Sequence, residues 1–211
     1  MSIPHPELPD STPSVEDGPQ VELKLKGSRF LAQAFAADAE EAARGQVDAL
    51  RRRYHDATHH CWALRLFTTS DPLERAEDDG EPSGTAGLPI LQSLQRANLY
   101  DALVVVTRYF GGVKLGRGGL VRAYGDAARM ALEAAPSRRI WHDLHLTVEC
   151  SFDDLGTVEA TLAKAAGDIR RIDRAFSSSV RLRLRLRRGA ASGLAERLRE
   201  TTGGRVVLTW D

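Results

Sequence analysis

Three carboxylates, Asp78, Asp79 and Glu81, stand within four positions and are followed by two hydroxyls, Ser83 and Thr85, set among glycines. Oxygen donors packed this densely suit a hard cation such as magnesium, or they pair with cations elsewhere in the chain. The nearest cations downstream are Arg108, Lys114, Arg117 and Arg122. Lys114 and Arg117 lie in the glycine-rich stretch 111–119, between a valine-rich run and a helical pattern. A strand, a glycine loop and a helix N-terminus form an anion site when backbone N–H groups and the positive helix end converge. Two nucleotide-binding patterns fail. Gly111-x4-Gly116 is followed by Arg117-Gly118 where a phosphate loop needs Lys-Ser/Thr, and Val121 takes the third glycine position of the dinucleotide pattern. Ser83 has no nucleophile-elbow context either.

Two further groups merit weighing. His59 and Cys61 share one face of an extended segment, which allows a thiol–imidazole pair or two ligands of a metal. No second Cys/His pair lies nearby to complete a zinc site, and nothing in the sequence orients the histidine as a base. Arg181, Arg183, Arg185 and Arg187 alternate with Val180, Leu182, Leu184 and Leu186. One strand thus presents an apolar face and an arginine stripe, which fits RNA, an acidic protein surface, or a solvated face whose arginines pair with neighbouring acids. The aromatics that stack bases in RNA-recognition motifs are missing from the stripe.

Elements that must position these residues follow from periodicity. Strands are expected at 21–26, 29–35, 60–67 and 102–107, with helices at 39–53, 88–97 and 120–135. The run 102–107 is apolar throughout, as in a central strand covered on both faces. The acidic stretch 68–81 reads as a surface loop. After Pro136-Ser137 the pattern becomes strand 144–150, helix 153–166, hairpin strands 169–176 and 180–187, helix 190–202 and strand 205–210. This β-α-β-β-α-β order is the ferredoxin-like split motif. The chain therefore reads as an α+β protein with domains at 21–137 and 141–211. Residues 1–20 hold five prolines, four acids and no Lys or Arg, and read as a disordered tail.

Composition narrows the function classes. With 29 basic and 29 acidic residues, the net charge of zero argues against gripping duplex nucleic acid through overall charge. The two cysteines form no disulfide framework, no apolar run approaches the ~20 residues needed to span a bilayer, and the N-terminus lacks signal-peptide features. A cytoplasmic location is expected, with no membrane contact. Neither a catalytic residue nor a metal nor a cofactor is assigned, and oligomeric state is left open.

The segments 78–87 (DDGEPSGTAG), 107–116 (TRYFGGVKLG), 118–124 (GGLVRAY) and 57–61 (ATHHC) together resemble the IMPACT/YigZ family, with the likeness running over about residues 20–136. Leu88 replaces the basic residue expected before Pro89. The resemblance implies a first domain like the second domain of a small-subunit ribosomal protein and a second domain like a C-terminal domain of elongation factor G. It also implies a binding protein, not an enzyme, acting on RNA, the ribosome or a translation-associated protein. Lys114, Arg117 and Arg122 would then meet phosphate, while Arg108 and Tyr109 shape the cleft. Two alternatives stand beside this reading. One is an enzyme acting on a phosphorylated small molecule with Asp78, Asp79 and Glu81 opposite Arg108 and Lys114; the other is a regulator whose glycine-rich surface docks a protein.

Overall fold

The valine-rich run becomes the middle of a five-stranded sheet. The computed structural model describes residues 8–210. In chain order the first unit contains β1 (Ser11–Val15), β2 (Val21–Leu25), β3 (Ser28–Ala36), α1 (Glu40–Arg53), β4 (His59–Leu66), β5 (Leu73–Glu77), α2 (Gly87–Arg96), β6 (Ala102–Tyr109), α3 (Gly116–Ala134) and β7 (Ser137–Trp141). The second contains β8 (Asp143–Cys150), α4 (Leu155–Lys164), β9 (Ile169–Phe176), β10 (Val180–Arg187), α5 (Arg188–Thr201) and β11 (Val207–Trp210). The chain divides at Ile140/Trp141, with residues 8–11 grouped with the second unit.

The first sheet has the order β2-β3-β6-β4-β5, and its neighbours pair antiparallel throughout. Alternation along β6 sends Val104 and Val106 to a core built with α2 and α3, and Leu103 and Val105 to a core built with α1. Both faces are covered, which is why the run carries no polar alternation. In the second unit the order is β11-β8-β10-β9, again antiparallel. The alternate residues Val180, Leu182, Leu184 and Leu186 of β10 meet Leu194 and Leu198 of α5 and Val158 and Leu162 of α4 in one core.

Three expectations need correction. Residues 11–15, assigned above to a disordered tail, form β1 and pair with β7. Val15 is buried, the Pro13 carbonyl accepts the Tyr100 N–H at 2.9 Å, and the Ser14 hydroxyl donates to the Asp101 carbonyl at 3.2 Å. Composition misread this segment because its partners lie about 85–125 residues away. The part of that tail before residue 8 lies outside the described residues. The stretch 68–81, expected as a loop, contains the edge strand β5, whose polar sequence fits an edge that solvent covers. The helix expected from residue 120 begins four residues earlier, so the last glycines of the loop, Gly116, Gly118 and Gly119, belong to the first turn of α3.

Candidate functional site

The acidic segment turns out to be two different things. Asp78 follows β5 directly, and its carboxylate accepts backbone N–H groups from Gly84 (2.7 Å), Ala86 (2.9 Å) and Gly87 (2.8 Å). Burial pushes its pKa up, but the three N–H donors and the nearby Arg117 charge outweigh it and hold the carboxyl below the ordinary aspartate range. Thr85 is buried and its hydroxyl donates to the Pro82 carbonyl at 2.6 Å, closing the same loop. Asp79 sits at φ +45° ahead of Gly80 at +88°, a left-handed turn that Asp tolerates better than most residues. Its carboxylate accepts from Arg51 at 2.8 Å and from the His60 N–H at 2.6 Å. Both aspartates therefore hold the loop against β4 and α2. Among the described residues no group of three or more His, Cys, Asp or Glu side chains is placed to hold a metal ion.

A test of the Asp78 role follows from its depressed pKa. The stabilisation is fully present above the unfolded aspartate pKa of about 4 and is lost as the pH falls through the lower folded value. Asp78→Asn is expected to cost about 2 kcal/mol at pH 7, from weakened charge-assisted bonds. Urea titrations at pH 7 and pH 3 should show that deficit shrinking at the lower pH; a deficit independent of pH would refute the role.

Glu81 points the other way, inward. It is 8% exposed, and its Oε1 accepts Arg108 Nη1 at 2.5 Å and the Tyr124 hydroxyl at 2.8 Å. Arg108, from β6, is 4% exposed and lies 5.3 Å from the Phe30 ring centroid and 5.6 Å from that of Phe110. Its Nη2 donates to Ser28 Oγ at 3.3 Å, while its Nε has no hydrogen-bond partner among the described residues. Tyr124 comes from α3 and is fully buried, edge-on to Phe30. Cys61 Sγ lies 3.0 Å from the Asp78 carbonyl and 3.3 Å from the Tyr124 hydroxyl. Burial pushes the Cys61 thiol well above its ordinary range, and the Glu81, Asp79 and Asp78 charges add to the rise. His59 Nδ1 is engaged with the Asp79 carbonyl at 2.8 Å. The pair His59 and Cys61 is thus a neutral thiol beside an occupied imidazole, not an activated nucleophile.

Glu81, Arg108, Lys114, Arg117 and the exposed Phe110 line a cleft of about 350 Å³. The helix α3 opens here with Leu115 as N-cap and no side-chain capping bond, so its first N–H groups are left for solvent or a ligand. Arg117 Nη2 donates to the Ser83 carbonyl at 2.9 Å, which is how the exposed Ser83 touches the cleft. Neither Lys114 nor Arg117 has a carboxylate partner within salt-bridge distance among the described residues.

Other expected residues go elsewhere. Tyr109 follows Arg108 on the strand and so takes the opposite face, where its hydroxyl donates to Asp56 at 2.8 Å; it does not shape the cleft. Arg122 lines a separate groove between α2 and α3. In the stripe, Arg181 pairs with Glu149 (2.6 Å), Arg185 with Asp143 (2.8 Å) and Arg187 with Asp168 (3.9 Å), leaving Arg183 outside such pairs among the described residues. Cross-strand acids thus neutralise most of it. Phe110, Ser28 and the hydroxyl of Tyr124 are participants that spacing did not single out. A phenylalanine beside a strand-end arginine was the one available signal.

The model for the Impact N-terminal domain matches residues 26–132, and a second, named only as a domain of unknown function (DUF1949), matches residues 148–205. The chain belongs to the IMPACT family. The IMPACT family member in pol 5'region of Thermus thermophilus is 39% identical over 183 residues, spanning 86% of this chain and 97% of that protein. IMPACT family member YigZ of Escherichia coli is 34% identical over 186 residues, spanning 88% of this chain and 90% of that one. A crystal structure described as that of an hypothetical protein aligns with a TM-score of 0.68 at 31% identity, over 95% of this chain and 97% of its own. The IMPACT model covers every residue of the cleft; the arginine stripe falls in the second match.

Proposed function

We propose that this IMPACT family member is a non-enzymatic binding protein of the translation apparatus that holds single-stranded RNA in the cleft at the start of α3. The observation that carries the reading is the uncapped, glycine-built first turn of α3 beside Lys114 and Arg117, two cations with no carboxylate within salt-bridge distance among the described residues. Fixed N–H dipoles and cations outside salt bridges attract phosphate. Phe110, 46% exposed at the same cleft, supplies a face for a base to stack on. The spatial order β11-β8-β10-β9 supports a ferredoxin-like second domain, and the likeness to a C-terminal domain of elongation factor G belongs to the reading from family resemblance. A ribosomal-protein likeness for the first domain, together with a cytoplasmic location, belongs to the same reading.

Fluorescence anisotropy with a labelled 20-nucleotide RNA, repeated across a salt series, tests it. Lys114→Ala/Arg117→Ala is expected to weaken binding at least tenfold and to flatten the log K against log salt slope by about 1.4, roughly 0.7 for each phosphate no longer neutralised. Unchanged affinity and slope would overturn the assignment. The second reading is an enzyme acting on a phosphorylated small molecule, favoured by Glu81 and Arg108 lining the cleft. That reading is left with Glu81, because Asp78 and Asp79 are committed to the loop and Arg51. Turnover of a phosphoester panel, abolished by Glu81→Gln, would replace the first reading with the second.

A further inference from the structure

A second cavity of the first unit shares no lining residue with the cleft. It is a groove of about 580 Å³ between α2 and α3. Along α2 it is bordered by Pro89, Ser93, Arg96 and Ala97, which are steps of four, three and one. On α3 the border runs through Val121, Gly125, Arg129 and Leu132, at steps of four, four and three. Each set is one helical stripe, so the groove extends along both helices, for about 12 Å beside α2 and about 17 Å beside α3 at 1.5 Å per residue. The small residues Ser93 and Gly125 form its narrow floor, where the Ser93 hydroxyl comes within 3.4 Å of the Gly125 carbonyl. A trough of that length is too elongated for a compact metabolite and suits about three turns of helix.

Its chemistry is apolar along the base and positive at the rim. Pro89, Leu99, Val121 and Leu132 supply the apolar surface, and Val121 is 41% exposed with no cover from the described chain. The acids at the rim, Asp126 and Glu133, are both engaged by Arg129, at 3.8 and 2.8 Å. Arg96 and Arg122 have no such partner among the described residues. The uncompensated charge at the groove is therefore positive, which selects an acidic occupant.

We propose that this groove docks an acidic amphipathic helix of a partner protein, laid along α2 and α3 with its apolar stripe on Val121 and Leu132 and its carboxylates on Arg96 and Arg122. This is the helix-in-groove mode of recognition. It is independent of the RNA reading, since the two sites have separate linings.

The probe is a 14-residue peptide with leucines at positions spaced four, three and four apart and glutamates elsewhere, beside an isomer with lysine for every glutamate. Titration into the full ¹⁵N-labelled chain is expected to move the Ser93, Ala97 and Gly125 amide signals saturably with the acidic peptide alone. Val121→Glu, an exposed site whose change leaves the core intact, should weaken that binding at least tenfold, as should Arg96→Ala/Arg122→Ala. Equal binding of the two peptides, no saturable shift with the acidic one, or indifference to both variants would overturn the proposal. So would movement of the same signals on dilution of the protein alone, which would make a second copy the occupant.

Discussion

Arg108→Ala is expected to destabilise the first unit by about 3–5 kcal/mol, because it leaves Glu81 as a buried carboxylate without its counter-charge. The two side chains are 5% and 4% exposed and meet at 2.5 Å. The Tyr124 hydroxyl would remain as a hydrogen-bond donor to Oε1, with His59 Nε2 3.8 Å away, and a neutral donor cannot replace a guanidinium. Removing the guanidinium also strips packing from Phe30 and Phe110. Amide exchange along β6 measures the effect in the first unit alone, avoiding a single transition assumed for two domains. Glu81→Leu/Arg108→Met should recover a large part of the loss, since replacing both charges removes the unpaired one. A loss under about 1 kcal/mol for Arg108→Ala would mean the pair is solvated in a way its burial does not indicate.

Gly111→Ala should be nearly as damaging, for a reason of space. A Cβ built at Gly111 would stand 1.9 Å from the Gly27 carbonyl carbon and 2.2 Å from the Ser28 nitrogen. Those are backbone atoms of the β2–β3 turn and cannot rotate aside. The turn also carries Ser28, whose hydroxyl accepts the Gly111 N–H at 3.2 Å and a donor from Arg108 at 3.3 Å. Displacing it therefore disturbs the wall of the cleft as well. A cost of about 3 kcal/mol or more is expected in thermal or urea unfolding, above the ordinary range for overpacking. Gly118→Ala is the matched control. Nothing lies within 4 Å of a Cβ there and the position is inside α3, so that change should be neutral or stabilise by up to about 1 kcal/mol. Equal behaviour of the two variants would refute the argument.

These two outcomes bear on how the glycine-rich stretch is read. The glycines after β6 have different causes: Gly111 is required by a close backbone approach, Gly112 and Gly116 stand at φ +83° and +71°, and Gly118 meets neither constraint. Composition treats them alike. The anion-site reading rests on Lys114, Arg117 and the uncapped helix start, so it does not depend on every glycine having a functional purpose.

What the sequence determined by itself was whatever is carried by short-range periodicity. The run 102–107, the alternation of β10 and the helical periodicity of 120–135 are local patterns, because burial repeats every two or every 3.6 residues within one element. The family motifs were legible for the same reason, as contiguous strings. Only the tertiary structure decided what each acid holds. Asp78, Asp79 and Glu81 are near neighbours in sequence, yet two staple a loop and one enters the core, because their partners come from β4, α1, α2, β6 and α3. The same holds for β1, which the proline-rich composition of residues 1–20 conceals although it contacts the turn before β6, and for Arg122, which a helix turn carries away from Lys114 into another groove. Pairing across the sheet and between helices depends on residues far apart in the chain, and no local pattern records it.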